Sequence, residues 1–121
     1  MLEASLMFKK EQRLKKEADF KRIFSLGRFT NDGFVSFVYV PNELIFNRFA
    51  VIVSSKVFKL AVKRNLIKRR LINIFQKIKT IKQGFDIVVI VKNKNIITEK
   101  NPYLIKRVTE LLQKSKLLSI Q

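Results

Sequence analysis

An α+β domain, with helices packed on a small mixed β-sheet, is the fold this sequence predicts. Three observations carry that expectation. Apolar residues recur at helical spacing through residues 61–79. The runs Phe49-Ala50-Val51-Ile52-Val53 and Ile87-Val88-Val89-Ile90-Val91 on either side are continuously apolar, as in strands covered on both faces. A strand, helix, strand order then implies a parallel pair joined by a crossover. With 121 residues and 47% hydrophobic content, the chain suits one domain with a modest core.

The elements follow in order. Residues 1–12 show no strong period and read as a tail or loosely docked arm. A short helix opens at Asp19 or just before it, carries Phe20, Ile23, Phe24 and Leu26, and is capped by Gly27. Asn31-Asp32-Gly33 is a turn signal ahead of a β-branched and aromatic strand over 34–40, which Pro41-Asn42 ends. A second strand covers 46–53, and residues 54–60 form a basic connector into the long helix at 61–79. Gln83-Gly84 breaks the chain before a buried strand at 86–91. Residues 92–100 read as a polar loop. Asn101-Pro102 then starts a last helix, in which Leu104, Val108, Leu111 and Leu112 keep helical spacing to near Leu118.

Charge narrows the function. Lys and Arg number 26 against nine Asp and Glu, a net +17 and a pI near 10.6, which points to a polyanionic partner and first of all to nucleic acid. No acid lies between Glu43 and Asp86. On a helical wheel with Arg64 at zero, Ile67, Leu71, Ile74 and Ile78 gather near about 300°, which makes them the core stripe. Arg64, Asn65, Lys68 and Arg69 spread over about 0° to 140° beside it, as a cationic working face.

The absence of Cys and His removes the thiolate and imidazole on which most zinc sites, nucleophiles and general bases rely. The nine acids stand singly along the chain, without a local pair suited to a metal-dependent nuclease. A protein-based active site is therefore not expected. No apolar run reaches the roughly 20 residues of a membrane span, and the N-terminus lacks a signal-peptide core, so a cytoplasmic protein is expected.

The run Val53-Ser54-Ser55-Lys56, followed by Ala61-Val62-Lys63-Arg64-Asn65-Leu66-Ile67-Lys68-Arg69-Arg70, closely resembles the signature of the protein subunit of bacterial ribonuclease P. Arg13-Leu14-Lys15-Lys16 with Asp19-Phe20, Phe24 and Gly27 matches that family's opening segment, and Arg48 and Gly84 with Asp86-Ile87-Val88-Val89 also fit in order. The resemblance runs from Arg13 to the last helix. It implies a single RNA-binding domain over 13–118 of the α-β-β-β-α-β-α type, similar to ribosomal protein S5 domain 2. Its βαβ crossover would be left-handed, against the general rule.

The implied function is that of a protein cofactor in a ribonucleoprotein that removes the 5′ leader from precursor tRNA by endonucleolytic cleavage. The catalytic centre would lie in the RNA, with Mg²⁺ supporting the chemistry and one protein bound per RNA. By position, Lys56, Lys59, Lys63, Arg64, Asn65, Lys68, Arg69 and Arg70 are implied to contact the catalytic RNA. Phe20, Phe24 and Phe37 are implied to line a cleft for the leader, where flat rings offer sequence-tolerant stacking. Neither a catalytic residue nor a metal ligand is implied in this chain.

Three positions depart from the family pattern: Leu66 and Ile72 stand where arginines are usual, and Ser55 where a lysine is. Leu66 and Ile72 fall off the predicted core stripe, and Arg70 is expected to restore part of the charge lost at 66. Ala50 replaces a glycine favoured in the second strand.

The competing readings are a ribosomal-type structural RNA-binding protein, a protein-only nuclease relying on a carboxylate such as Asp19 or Asp86, and a DNA-binding regulator, for which no helix-turn-helix spacing is recognisable. Plainer roles also compete residue by residue. Phe20, Phe24 and Phe37 suit ordinary core packing, Asp19 suits an N-cap, and Lys106, Arg107, Lys114 and Lys116 suit a solvated helix face.

Overall fold

The computed structural model describes residues 10–119. Most of the expected N-terminal tail lies outside them, and its last part, Lys10–Gln12, forms a 3-10 turn. Helix α1 spans Glu17–Leu26, followed by strands β1 (Arg28–Asn31), β2 (Val35–Pro41) and β3 (Arg48–Val53). Helix α2 (Ala61–Lys77), strand β4 (Phe85–Val91), a 3-10 turn at Lys94–Thr98 and helix α3 (Asn101–Lys114) complete the chain. The order is α-β-β-β-α-β-α, and the strands form one mixed sheet in the order β1-β2-β4-β3. β3 and β4 are parallel and joined across α2, while β2 runs antiparallel to both β1 and β4.

Alternation along the strands separates two layers. Phe37 and Tyr39 of β2, Phe49 of β3, and Ile87, Val89 and Val91 of β4 bury one face against Ile67, Leu71, Ile74 and Phe75 of α2 and Leu104, Val108, Leu111 and Leu112 of α3. The opposite face carries a smaller core of Leu14, Ile23, Val38 and Val88, flanked by Phe20, Ala50, Ile52 and Ile90. Two helices cover the first face, whereas only α1 and the segment before it pack on the second. That asymmetry leaves part of the second face open beside α1.

Several boundaries differ from the sequence expectation for identifiable reasons. β1 carries a single large apolar residue, so no alternation announces it; its pairing with β2, Phe29 opposite Val38, creates it. α2 stops at Lys77, and the predicted stripe residue Ile78 becomes its C-cap, half-buried against the same core. The expected polar loop at 92–100 contains a 3-10 turn whose Ile96 is fully buried. Asn93 opens that turn by accepting a hydrogen bond from the Asn95 N–H at 2.9 Å.

Gly27 caps α1 as expected, but in extended rather than left-handed backbone. Its glycine is required by space: a Cβ there would collide with the Ile23 carbonyl and lie 2.8 Å from Val38 Cγ1. At the predicted turn, the Asp32 carboxylate accepts the N–H groups of Phe34 and Val35 at 2.9 and 3.0 Å, and Gly33 adopts φ +90°, which favours glycine.

Candidate nucleic-acid interface

Helix α2 buries Ile67, Leu71, Ile74 and Phe75 and turns its basic residues to the flanks and the outer surface. Lys56, Lys59, Lys63, Asn65 and Arg69 are exposed, and Lys68 is half-buried. No acidic residue occurs between Glu43 and Asp86 to neutralise this surface from within its own segment. Lys59 and Lys63 line a groove with Lys94 and Thr98, over a floor that includes Phe58 and Ile97. Lys94 thus joins the cationic surface from a distant part of the chain. Sequence reasoning missed it because nothing local marks it.

Two of the residues predicted to contact RNA also make hydrogen bonds within the chain. The Arg64 guanidinium donates to the carbonyls of Phe58 and Lys59 at 2.8 and 2.9 Å, which ties the basic connector to the helix it feeds. Arg70 donates to the Glu99 carbonyl at 2.6 Å, the Ile97 carbonyl at 3.2 Å and Asn101 Oδ1 at 2.9 Å. Arg70 therefore clamps α2 to the start of α3. These partners are neutral, so Arg70 keeps its positive charge one turn beyond Leu66, which points outward and is 48% exposed.

The apolar side of the site lies beside α1. Phe20 and Phe24 share one helix face with ring centroids 6.5 Å apart and planes inclined by 23°. Phe20 is half-buried and Phe24 is 49% exposed. Next to them, Leu14, Phe20, Ala50, Ile52 and Ile72 line a hollow of about 270 Å³ at the β3 edge, with Arg13 and Lys15 also in its wall. The Leu14 N–H donates to the Phe49 carbonyl at 2.9 Å and holds this segment along the strand. Ile72 is thereby explained: it packs against the main core and faces the hollow at once.

Phe37 corrects the expected cleft. It is fully buried on the other face of the sheet, with its ring centroid 5.5 Å from that of Phe75. The reason is strand parity, since Val38 is the β2 residue that faces Ile23 of α1, so its neighbour Phe37 must point the other way.

An ion-pair cluster fixes α1 to the sheet. The fully buried Asp86 of β4 accepts two hydrogen bonds from Arg48 of β3, at 2.8 and 2.7 Å, one from Asn42 at 2.9 Å, and one from Arg22 of α1. Burial pushes the Asp86 carboxyl up, but the hydrogen bonds from Arg48, Asn42 and Arg22 outweigh it and hold the group below its ordinary range. The hydrogen bonds to Asp86 in turn raise Arg48. Asp19 lies in the first turn of α1 rather than at its N-cap, 3.5 Å from Arg22 and 3.6 Å from Arg48.

A second cluster corrects the reading of Arg107 as solvated. It pairs with Glu99 at 2.9 and 2.8 Å and with Asp32 at 2.7 Å, and its guanidinium lies 4.0 Å over the Phe34 ring. Acids that stand singly in sequence thus converge in space, but around arginines. Among the described residues, no group of three or more acids is placed to hold a metal ion. Likewise no helix among them is long and apolar enough to cross a membrane.

Comparison with known proteins adds a family. Residues 8–116 match the family model described as Ribonuclease P. The chain is 46% identical over 85 residues to the ribonuclease P protein component of Petrotoga mobilis, covering 69% of this chain and 70% of that one. It is 35% identical over 113 residues to the corresponding protein of Caldanaerobacter subterraneus, covering 92% and 95%. Among solved structures it is similar to the RNase P protein of Staphylococcus aureus, with TM-score 0.79, 28% identity, and coverage of 89% of this chain and 98% of that one. The RNase P protein of Thermotoga maritima superposes with TM-score 0.77 and 28% identity over 84% and 96%.

Proposed function

Because this chain belongs to the ribonuclease P protein family, we propose that it works by binding the catalytic RNA and the single-stranded leader of precursor tRNA on two adjoining surfaces. The observation that carries this reading is the pairing of an acid-free cationic helix with an aromatic, apolar trough at the edge of one sheet. Lys56, Lys59, Lys63, Asn65, Lys68 and Arg69 meet the phosphates of the catalytic RNA, one protein to one RNA, and Lys94 extends that contact. Phe20 and Phe24 stack leader bases without regard to sequence, as a leader of variable sequence requires.

Hydrolysis belongs to the RNA partner in this reading. Asp19, Asp32, Asp86 and Glu99 are engaged by arginines, which supports assigning the Mg²⁺ of this reading to the RNA rather than to these carboxylates. The protein raises the affinity of the complex for precursor and thereby its efficiency at low Mg²⁺. It acts in the cytoplasm, where precursor tRNA is made.

The direct test is 5′-leader cleavage of a precursor tRNA at low Mg²⁺ by the cognate ribonuclease P RNA, with and without this protein. Strong stimulation, with no cleavage by protein alone, is the expected result. Binding to the RNA without stimulation would favour a purely structural RNA-binding role. Cleavage by protein alone that is lost in a folded Asp19→Asn variant would favour a protein nuclease.

A further inference from the structure

A second cationic pocket lies where the end of α3 meets the chain that leaves α2. Lys82, Gln113, Lys116, Leu118 and Ser119 line this hollow of about 500 Å³. An antiparallel bridge between Ile81 and Leu118 builds it, with the Lys82 N–H donating to the Leu117 carbonyl at 2.7 Å and the Ser119 N–H to the Thr80 carbonyl at 2.6 Å. Its four polar residues are all exposed. Among the described residues neither lysine forms an ion pair. The acid-free stretch that supplies the α2 surface also continues through Lys77, Lys79 and Lys82.

Lys116 stands in left-handed backbone, with φ 60°. Its N–H donates to the Gln113 carbonyl at 3.0 Å and the Leu117 N–H to the Leu112 carbonyl at 2.9 Å, the two bonds of a Schellman motif. Glycine is favoured at this position because it makes the turn without the cost of a Cβ, so the turn itself does not call for a lysine. Capping does not call for one either. The carbonyls of Leu111, Leu112 and Gln113 already accept backbone N–H groups, and Lys114 supplies a cation in the last turn of α3.

Two ammonium groups, an amide and a hydroxyl around one hollow make a donor set suited to phosphate. Ile81, Leu117 and Leu118 belong to the core under α2 and α3, so the pocket lies on the α2 side of the sheet and away from the α1 trough. Along α2, Lys63 and Lys77 are about 20 Å apart, so one phosphate cannot meet both ends of the helix. We propose that this pocket binds a backbone phosphate of the catalytic RNA, in a segment other than the one that meets the N-terminal half of α2. The site rests on the reading that the α2 surface binds that RNA. Phosphate contacts beyond both ends of the helix set the protein's orientation on the RNA without reading its sequence.

The test uses the full chain with the cognate catalytic RNA and measures Kd against salt for Lys82→Gln/Lys116→Gly, with Lys68→Ala and Lys106→Gln alongside. Lys116→Gly keeps the left-handed turn, so the double variant is expected to melt no lower than wild type while its salt slope falls by about 0.7 to 0.9, the value for one phosphate. Lys106→Gln removes an exposed α3 charge outside the pocket and should leave the slope unchanged. Because the chain has no cysteine, Gln113→Cys can carry a single hydroxyl-radical probe, which is expected to cut the catalytic RNA in the complex with precursor tRNA.

An unchanged slope in the double variant, with a reduced one in Lys68→Ala, would overturn the pocket while the α2 reading stands. Unchanged slopes in both would overturn both. An equal fall in Lys106→Gln would overturn the site by reducing it to net charge. Cuts confined to the precursor would overturn its assignment to the catalytic RNA.

Discussion

Arg48 and Asp86 lie opposite each other in the parallel β3–β4 pair and are joined by two hydrogen bonds, Nε to Oδ1 at 2.8 Å and Nη2 to Oδ2 at 2.7 Å. The same carboxylate receives Arg22 from α1, so one buried charge closes the sheet edge and sets where the aromatic wall of the trough stands. A stable site and a stable fold therefore share this residue.

Asp86→Asn should cost about 3 kcal/mol of unfolding free energy at neutral pH, because it leaves two guanidinium groups without the charge they converge on. The native carboxyl is held below its ordinary value, so its contribution is complete above the unfolded pKa of about 4 and is lost as pH falls through the lower native value. Wild-type stability should decline below about pH 4, whereas the variant should show a shallower decline. Urea unfolding of both proteins at pH 7 and across the acid range measures this. Parallel pH profiles would show that Asp86 is not the group responsible.

Arg70 separates anchoring from RNA contact. Its hydrogen bonds reach carbonyls 27 and 29 residues further along the chain, so Arg70→Ala should cost about 2 kcal/mol of stability and leave the salt slope of RNA binding unchanged. Lys68→Ala should do the reverse, lowering the slope by about one with little effect on stability. Paired urea melts and salt titrations of the two variants decide between these roles.

Those contrasts mark how far the sequence could be read. The core stripe of α2 was legible because Ile67, Leu71 and Ile74 repeat at helical spacing and are all buried. The continuous strands at 49–53 and 87–91 were legible for the same kind of reason. β1 was not, since a four-residue edge strand with one large apolar side chain exists only through its partner. Periodicity also places Phe37 and Val38 on opposite faces without saying which face meets α1. The partners of Arg64, Arg70 and Arg107 could not be read at all, because backbone carbonyls and distant acids leave no pattern in the residues beside an arginine.

Phe37 and Phe24 should behave oppositely although both are trough candidates in the sequence. Phe37 is sealed against Phe75, so Phe37→Ala should destabilise the fold by about 3 to 5 kcal/mol. Phe24 is half open to solvent, so Phe24→Ala should leave stability within about 1 kcal/mol while weakening leader-bearing precursor selectively. Thermal melts and Kd values for precursor against mature tRNA give both readings from the same samples. A leader-specific loss in a fully folded Phe37→Ala variant would require the sheet face to be reassigned.

Leu66 offers the converse test, a gain rather than a loss. It is 48% exposed on the outer surface of α2, between Val62 one turn before it and Arg70 one turn after it, and nothing in the core depends on it. Arg70 is held toward the α3 start, so Leu66 interrupts the cationic surface with an exposed apolar side chain. Leu66→Arg should therefore steepen the salt dependence of catalytic-RNA binding by about 0.9, one further phosphate, and tighten binding at low salt while leaving unfolding stability unchanged. An unchanged slope with weaker binding would instead mean that Leu66 meets an apolar part of the RNA, such as a base or ribose face, and that the substitution removed a contact this chain had adopted in place of the charge.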